Sequence, residues 1–204
     1  MSDKGTVLVT GGSGYIAGFV IAQLLAEGWR VRATIRSLSR EAEVRAALAR
    51  IASAATSDAL SFVAADLMSD AGWAEAVAGA AYVQLPGAGA CARGGAPGRT
   101  GPFTEADWTD PTHPDTSPYV RSKTIAERAA RDFMAREGGA LQFVTVNPGA
   151  VLGPVLGRDF SASIEIVKKL LEGAFPACPR LGFPLVDVRD IADLHVRAMT
   201  APDI

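Results

Sequence analysis

A short β-branched run, Thr6 to Thr10 (TVLVT), breaks off in the glycines Gly11, Gly12 and Gly14, and a helical pattern begins directly at Tyr15. Ile16, Phe19, Val20, Leu24 and Leu25 then recur at helical spacing as far as Gly28, a natural stop. Strand, glycine turn and helix in immediate succession are the strongest constraint in the chain. They fix the start of an alternating α/β unit and place a tight, side-chain-poor turn at a helix N-terminus.

The alternation continues downstream. Val31, Ala33 and Ile35 give a second strand, Ser39 is placed to cap a helix from Arg40 to about Ile51, and Leu60 to Ala64 gives a third strand. A short helix near Ala71 to Ala78 and a fourth strand from Ala80 to Leu85 follow. Buried, nearly continuous apolar strands alternating with helices predict a doubly wound parallel sheet of the α/β Rossmann class.

The pattern then fails. Residues 86–102 read PGAGACARGGAPGRTGP, with no Val, Ile, Leu, Met or aromatic side chain to pack a strand or helix. With the Pro-, Asp- and Thr-rich stretch that follows, 86–118 forms an irregular, insertion-like connection of unusual length. Beyond it the pattern predicts a helix from Tyr119 to Arg136, a strand from Leu141 to Val146, a loop NPGAVLGP, a helix from Ser161 to Glu172 and a last helix from Asp190 to Met199. The expected organisation is one Rossmann domain over 1–204, with 150–204 as a partial segment beyond the sheet.

Acidic and basic residues are mixed and the net charge is −2, which provides no field for nucleic acid or an anionic membrane. Cys91 and Cys178 are far apart, so neither a disulfide framework nor a metal site is implied, and the expected compartment is reducing. No apolar run approaches the ~20 residues that span a bilayer, and a cytoplasmic location is expected. His113 and His195 have no partners at ligand or triad spacing. Trp29, Trp73 and Trp108 are expected to be packing residues.

The glycine turn can be read as G-x-G-x-x-A through Gly12 or as G-x-x-G-x-x-A through Gly11, and both readings share Gly14 and Ala17. Such a turn lets backbone N–H groups approach a pyrophosphate while the helix opening at Tyr15 and Ile16 points its positive end at that charge. The strand before, the helix after and the second strand at the right distance are the context this fingerprint requires. An acid at the end of the second strand would bind a free ribose 2′-hydroxyl, whereas arginine accommodates a 2′-phosphate. The segment Arg30-Val-Arg32-Ala-Thr34-Ile35-Arg36 has no acid before Glu41, which favours NADP(H) over NAD(H) through Arg36.

Several separated stretches, VTGGSGYIAG, VRATIR, AADL (Ala64 to Leu67), PFTEADW, SPYVRSK (Ser117 to Lys123), NPG (Asn147 to Gly149) and VDVRD (Val186 to Asp190), stand in an order that resembles the extended short-chain dehydrogenase/reductases. Within that group the chain is most similar to the dihydroflavonol reductase-like branch of the NAD-dependent epimerase/dehydratase superfamily. The resemblance implies that Tyr119 protonates a carbonyl oxygen as hydride arrives from the nicotinamide, and that Lys123 assists it and holds the ribose hydroxyls. The i, i+4 spacing puts both side chains on one helical face, where an ammonium favours the phenolate. The resemblance further implies that Asp66 and Leu67 contact the adenine, although Asp66 could equally cap the next helix, and that Asn147 and Pro148 lie beside the nicotinamide. Asp187, Arg189 and Asp190 could order a substrate-side loop, with Asp190 more simply the N-cap of the last helix.

One departure from the family matters for chemistry. The helix and fifth strand expected before the tyrosine helix have no counterpart, and with them goes the serine or threonine that hydrogen-bonds the substrate carbonyl. A strand lost from mid-sheet would leave apolar faces uncovered unless Leu141 to Val146 paired with Ala80 to Leu85. The expected function is an NADP(H)-dependent oxidoreductase reducing a small ketone or aldehyde to an alcohol, with homodimerisation left open. A non-catalytic NAD(P)-binding remnant and a nucleotide-sugar epimerase or dehydratase are the alternatives.

Overall fold

The structure, a computed structural model, describes residues 4–86, 101–102, 104, 106–157, 161–177, 182 and 184–202. Most of the glycine-rich segment, with Cys91 and Cys178, lies outside the described residues, as do Phe103 and Glu105 of PFTEADW. The chain divides into two compact units, one built from residues up to 86 with 150–201, the other from the described part of 87–149 with 202.

In the first unit, β1 (Thr6–Val9), α1 (Tyr15–Ala26), β2 (Arg30–Ile35), α2 (Glu41–Ala49), β3 (Leu60–Ala64), α3 (Trp73–Val77) and β4 (Ala80–Gln84) follow one another. The strands form a four-stranded sheet in the order β3-β2-β1-β4, parallel throughout. This is half of a doubly wound sheet, as the alternating pattern requires. Strand β1 is central, and Val7, Leu8 and Val9 are all fully buried. Leu8 packs with Val63 and Ala76 against Trp73 and Ala80, so successive β1 side chains meet cover on both faces.

Helix α1 earns its place by burial rather than by capping. Eight of its twelve residues are buried, from Ala17 through Leu25, and no side chain caps its N-terminus. It packs against α6 (Val188–Thr200), whose inward face carries Ile191, Ala192, His195 and Val196. The remaining elements of this unit are β5 (Ala150–Leu152), α5 (Ala162–Leu171) and β6 (Leu185–Asp187).

Four local expectations are corrected. Leu141 to Val146 forms no strand and pairs with no strand, and among the described residues β4 pairs only with β1. Strand propensity expresses fit to a pleated, half-buried surface. Here Leu141, Phe143 and Val144 are exposed, so the segment has the right residues without a ladder partner. The expected loop NPGAVLGP instead contains β5, whose residues pair in parallel register with β6. Before α2, Ser37 rather than Ser39 accepts the capping hydrogen bond, closing a 3₁₀ turn over Leu38–Arg40. The last helix starts at Val188 because Asp187, not Asp190, caps it by accepting from the Arg189 N–H at 2.8 Å.

The second unit is organised by α4 (Pro118–Glu137), with Ser117 accepting from the Val120 N–H and Pro118 in the first turn. Only Thr124 and Glu127 of its twenty residues are buried. No helix among the described residues is long and apolar enough to cross a membrane.

Candidate functional site

The glycine turn is held against the end of β2 by its own backbone. The Gly12 N–H donates to the Thr34 carbonyl at 2.7 Å, the Gly11 N–H donates to the Thr34 hydroxyl at 3.0 Å, and the Gly14 N–H closes the turn on the Gly11 carbonyl at 2.7 Å. Gly11 has φ of +61°, the left-handed region that side chains avoid. A Cβ on Gly12 would stand 2.8 Å from the Ala33 Cβ, so only glycine allows the turn to approach β2 this closely.

Gly14 is the N-cap of α1, without a side-chain cap and without an acid in the first turn that follows. The helix therefore presents its first N–H groups and positive end with no internal anion to neutralise them. The cradle has the backbone donors and the shape that a phosphate requires. Tyr15 and Ile16 open the helix and are half-buried. Among the described residues the buried Tyr15 hydroxyl has no hydrogen-bond partner, and burial, followed by the nearby Asp187 carboxylate, holds its pKa above the ordinary tyrosine value.

The two arginines of β2 and its exit differ in what they touch. Arg32 donates to the carbonyls of Glu75, Ala76 and Ala78 at 3.2, 2.9 and 2.7 Å, and so ties down the C-terminal end of α3. Arg36, exposed just past the strand, makes no hydrogen bond or ion pair with the described residues. The Ala65 N–H donates to the Ile35 carbonyl, which sets the end of β3 beside the end of β2. Asp66 and Leu67 follow at this same edge, Leu67 largely exposed. Asp66 does not cap α3, whose N-cap is Gly72; its carboxylate accepts from the Met68 N–H at 3.0 Å and its carbonyl from the Trp73 indole. Gly11, Gly14, Tyr15, Ile16, Arg36, Asp66 and Leu67 thus all lie where the parallel strands end, the edge at which open α/β sheets bind ligands.

In the second unit, Tyr119 and Lys123 stand on one face of α4, with the Lys123 Nζ 5.5 Å from the Tyr119 ring centroid. Tyr119 is 61% exposed. Asn147, which Pro148 follows, is joined to the same helix through Glu127: the Asn147 Nδ2 donates to the Glu127 Oε2 at 3.3 Å. Glu127 is buried and also accepts from Arg131 and from the Thr145 hydroxyl. Ser117, the hydroxyl nearest Tyr119 in sequence, is committed to capping α4.

The remaining singled-out residues have structural partners. His195 is buried, its Nδ1 lies 2.8 Å from the Ile191 carbonyl, and desolvation holds its pKa below the ordinary histidine value. Trp29 packs edge-on to Tyr82, Trp73 sits against the core, and Trp108 lies beneath the guanidinium groups of Arg128 and Arg131. Asp187 and Arg189 form a two-point ion pair, and hydrogen bonds from Arg189 lower the Asp187 pKa to about 2. No group of three or more potential metal ligands occurs among the described residues.

Residues 87–204 match the NAD dependent epimerase/dehydratase family, and residues 3–85 match the NmrA-like family. The chain belongs to the NAD dependent epimerase/dehydratase family. The parallel sheet and the motif order of the epimerase/dehydratase chain agree with that membership. It is 26% identical over 242 residues to a dihydroflavonol 4-reductase of Zea mays, a match that covers 96% of the chain and 66% of the relative. That alignment is longer than the chain, so the relative carries segments without a counterpart here. A cinnamoyl-CoA reductase of Medicago truncatula, CAD2, is 35% identical over 96 residues, covering 47% of the chain and only 28% of the relative. The fold is that of the yeast methylglyoxal/isovaleraldehyde reductase Gre2 solved with NADPH, with a TM-score of 0.68 at 19% identity over 97% of this chain and 75% of Gre2.

Two residues of the epimerase/dehydratase chain were not singled out by sequence. Thr34 continues the polar alternation of Arg30 and Arg32 in β2, and only its burial sets it apart from them. Glu127 continues the i, i+4 stripe from Tyr119 and Lys123, a signal that becomes meaningful only when the helix face is seen to be buried there.

Proposed function

We propose that this chain is an NADP(H)-dependent oxidoreductase that reduces a small ketone or aldehyde to an alcohol. The observation that carries the reading is the Tyr119–Lys123 pair on α4, a phenol with a cation 5.5 Å from its ring, in a chain that also holds a phosphate-ready glycine turn. NADPH, when bound, supplies the hydride. The turn at Gly11 to Gly14 and the start of α1 hold the pyrophosphate, and Arg36 meets the ribose 2′-phosphate with a guanidinium that no carboxylate of the described residues occupies. Asp66 and Leu67 border the adenine. Tyr119 donates its phenolic proton to the carbonyl oxygen as charge develops there, and Lys123 stabilises the resulting phenolate.

The presence of NADPH in the Gre2 structure and the reductase activities named for the similar enzymes support this reading. The test is NADPH oxidation with a panel of ketones and aldehydes, alongside direct NADPH binding. Tyr119→Phe is expected to lower kcat/KM about 10²–10⁴-fold while leaving NADPH affinity intact. Equal turnover by wild type and Tyr119→Phe would exclude Tyr119 as the acid.

A second reading is nucleotide binding without turnover. It is favoured by one observation: the Ser117 hydroxyl, the one nearest Tyr119 in sequence, is committed to capping α4. Losing a preorganised donor to the developing oxyanion costs about 10²–10³-fold in rate. NADPH binding with no consumption across the whole panel would select this reading.

A further inference from the structure

Residues 153–157 leave the end of β5 and pass over the first turn of α1, and of these five only Leu156 is half-buried while its neighbours are exposed. Leu156 seats where α1 has no side chain. A Cβ on Gly18 would stand 2.8 Å from the Leu156 Cδ1, and the buried Leu48 of α2 borders the same notch, its Cδ2 3.6 Å from that point. From the C-terminal end of α2, the Arg50 Nη1 donates to the Leu156 carbonyl at 2.9 Å. The near end of the segment is pinned as closely. Gly153 has φ of +137°, and a Cβ there would stand 2.9 Å from the Val188 Cγ1 and 3.3 Å from the Tyr15 hydroxyl. The two anchors therefore grip the first and fourth residues of α1, on either side of the turn whose N–H groups form the phosphate cradle.

Val155, Leu156 and Gly157 line one open cavity together with Gly12, Ser13 and Gly14 of the glycine turn. We propose that 153–157 is a strap that walls the pyrophosphate of a dinucleotide on the glycine turn, latched by Leu156 in the Gly18 notch, and that this latch sets how long the nucleotide stays bound. The inference rests on the NADP(H) reading above. The strap carries no charged side chain, so it adds no ion pair to the phosphates. Its contribution is to keep water from the flank of the cradle, where a lower local dielectric strengthens each backbone N–H hydrogen bond to a phosphate oxygen. Leu156 and Gly18 are thus positioning residues, acting on the nucleotide through the strap.

The test measures NADPH dissociation from the full chain by stopped-flow fluorescence, beside equilibrium binding of adenosine 2′-monophosphate, which has the 2′-phosphate but no pyrophosphate. Leu156→Ala, which removes the latch, is expected to speed NADPH dissociation about tenfold. Gly18→Ala fills the notch from the helix side, at a position where alanine suits a helix better than glycine, and is expected to speed it to a similar extent. With the notch already vacated by Leu156→Ala, adding Gly18→Ala is expected to bring no further acceleration. Affinity for adenosine 2′-monophosphate is expected to stay within about twofold in all three variants. An unchanged dissociation rate in either single variant overturns the proposal, and so do fully additive rates in the double variant. Loss of adenosine 2′-monophosphate binding in step with NADPH also overturns it, because the strap would then only support the fold. Failure of wild type to bind NADPH would overturn the cofactor reading itself, and this inference with it.

Discussion

Helices α1 and α4 are held by opposite means. In α1, eight of twelve residues are buried, all of them apolar or glycine, and the helix lies against α6 beside a strand whose Val7, Leu8 and Val9 are fully buried. In α4, only Thr124 and Glu127 of twenty are buried, and the contacts run through a carboxylate, two arginines and the ring of Trp108. Apolar burial is additive and tolerant of detail, whereas a buried polar network stabilises only while every member is satisfied. The glycine turn therefore sits on a frame set by the hydrophobic effect. The tyrosine helix depends on a few specific hydrogen bonds.

The largest expected effect tests that contrast directly. Leu8→Ala, which opens a cavity among Val63, Ala76 and Trp73, should lower unfolding free energy by about 2–5 kcal/mol in urea denaturation. Leu141→Ala, at an exposed position without a strand partner, should change it by less than about 0.5 kcal/mol. Comparable losses at the two positions would break the comparison. A smaller but sharper effect is expected at the turn. Gly12→Ala forces a Cβ to 2.8 Å from that of Ala33, and thermal unfolding should show a loss of about 1–3 kcal/mol.

Arg36→Ala should weaken NADPH binding roughly tenfold and leave NADH binding unchanged, as read by nucleotide fluorescence. Loss of both nucleotides alike would show that Arg36 acts on the turn and not on the 2′-phosphate. The smallest expected effect concerns the α6 cap. Asp187 has its pKa lowered from 3.8 to about 2 by Arg189, so what it contributes to stability is complete above pH 4 and is lost as pH falls through about 2. Asp187→Asn should flatten the dependence of the unfolding midpoint on pH within that window and nowhere else.

Much of the first unit was legible because its signals are local. The strand, turn and helix from Thr6 to Ala26 follow from residue spacing and from glycine's freedom at Gly11. The second half of the chain was read less well for a physical reason. Leu141 to Val146 has strand-like residues, but a strand exists only where another edge offers its N–H and C=O groups. Conversely, the three residues of β5 look like part of a turn in sequence and become a strand because β6 supplies the ladder. The candidate site shows the same division. Arg32 and Arg36 are indistinguishable in a one-dimensional reading, and only the carbonyls at the end of α3 assign the first to structure.

The sequence by itself determined the α/β class, the place of the glycine turn and the pairing of Tyr119 with Lys123 on one helical face. These depend on backbone geometry and periodicity, which a chain carries with it before it folds. Tertiary structure alone decided which strands pair, which arginine has no partner among the described residues and that Glu127 holds Asn147 by its amide. Periodicity says which face of an element is to be covered. It carries no information about which distant side chain will cover it.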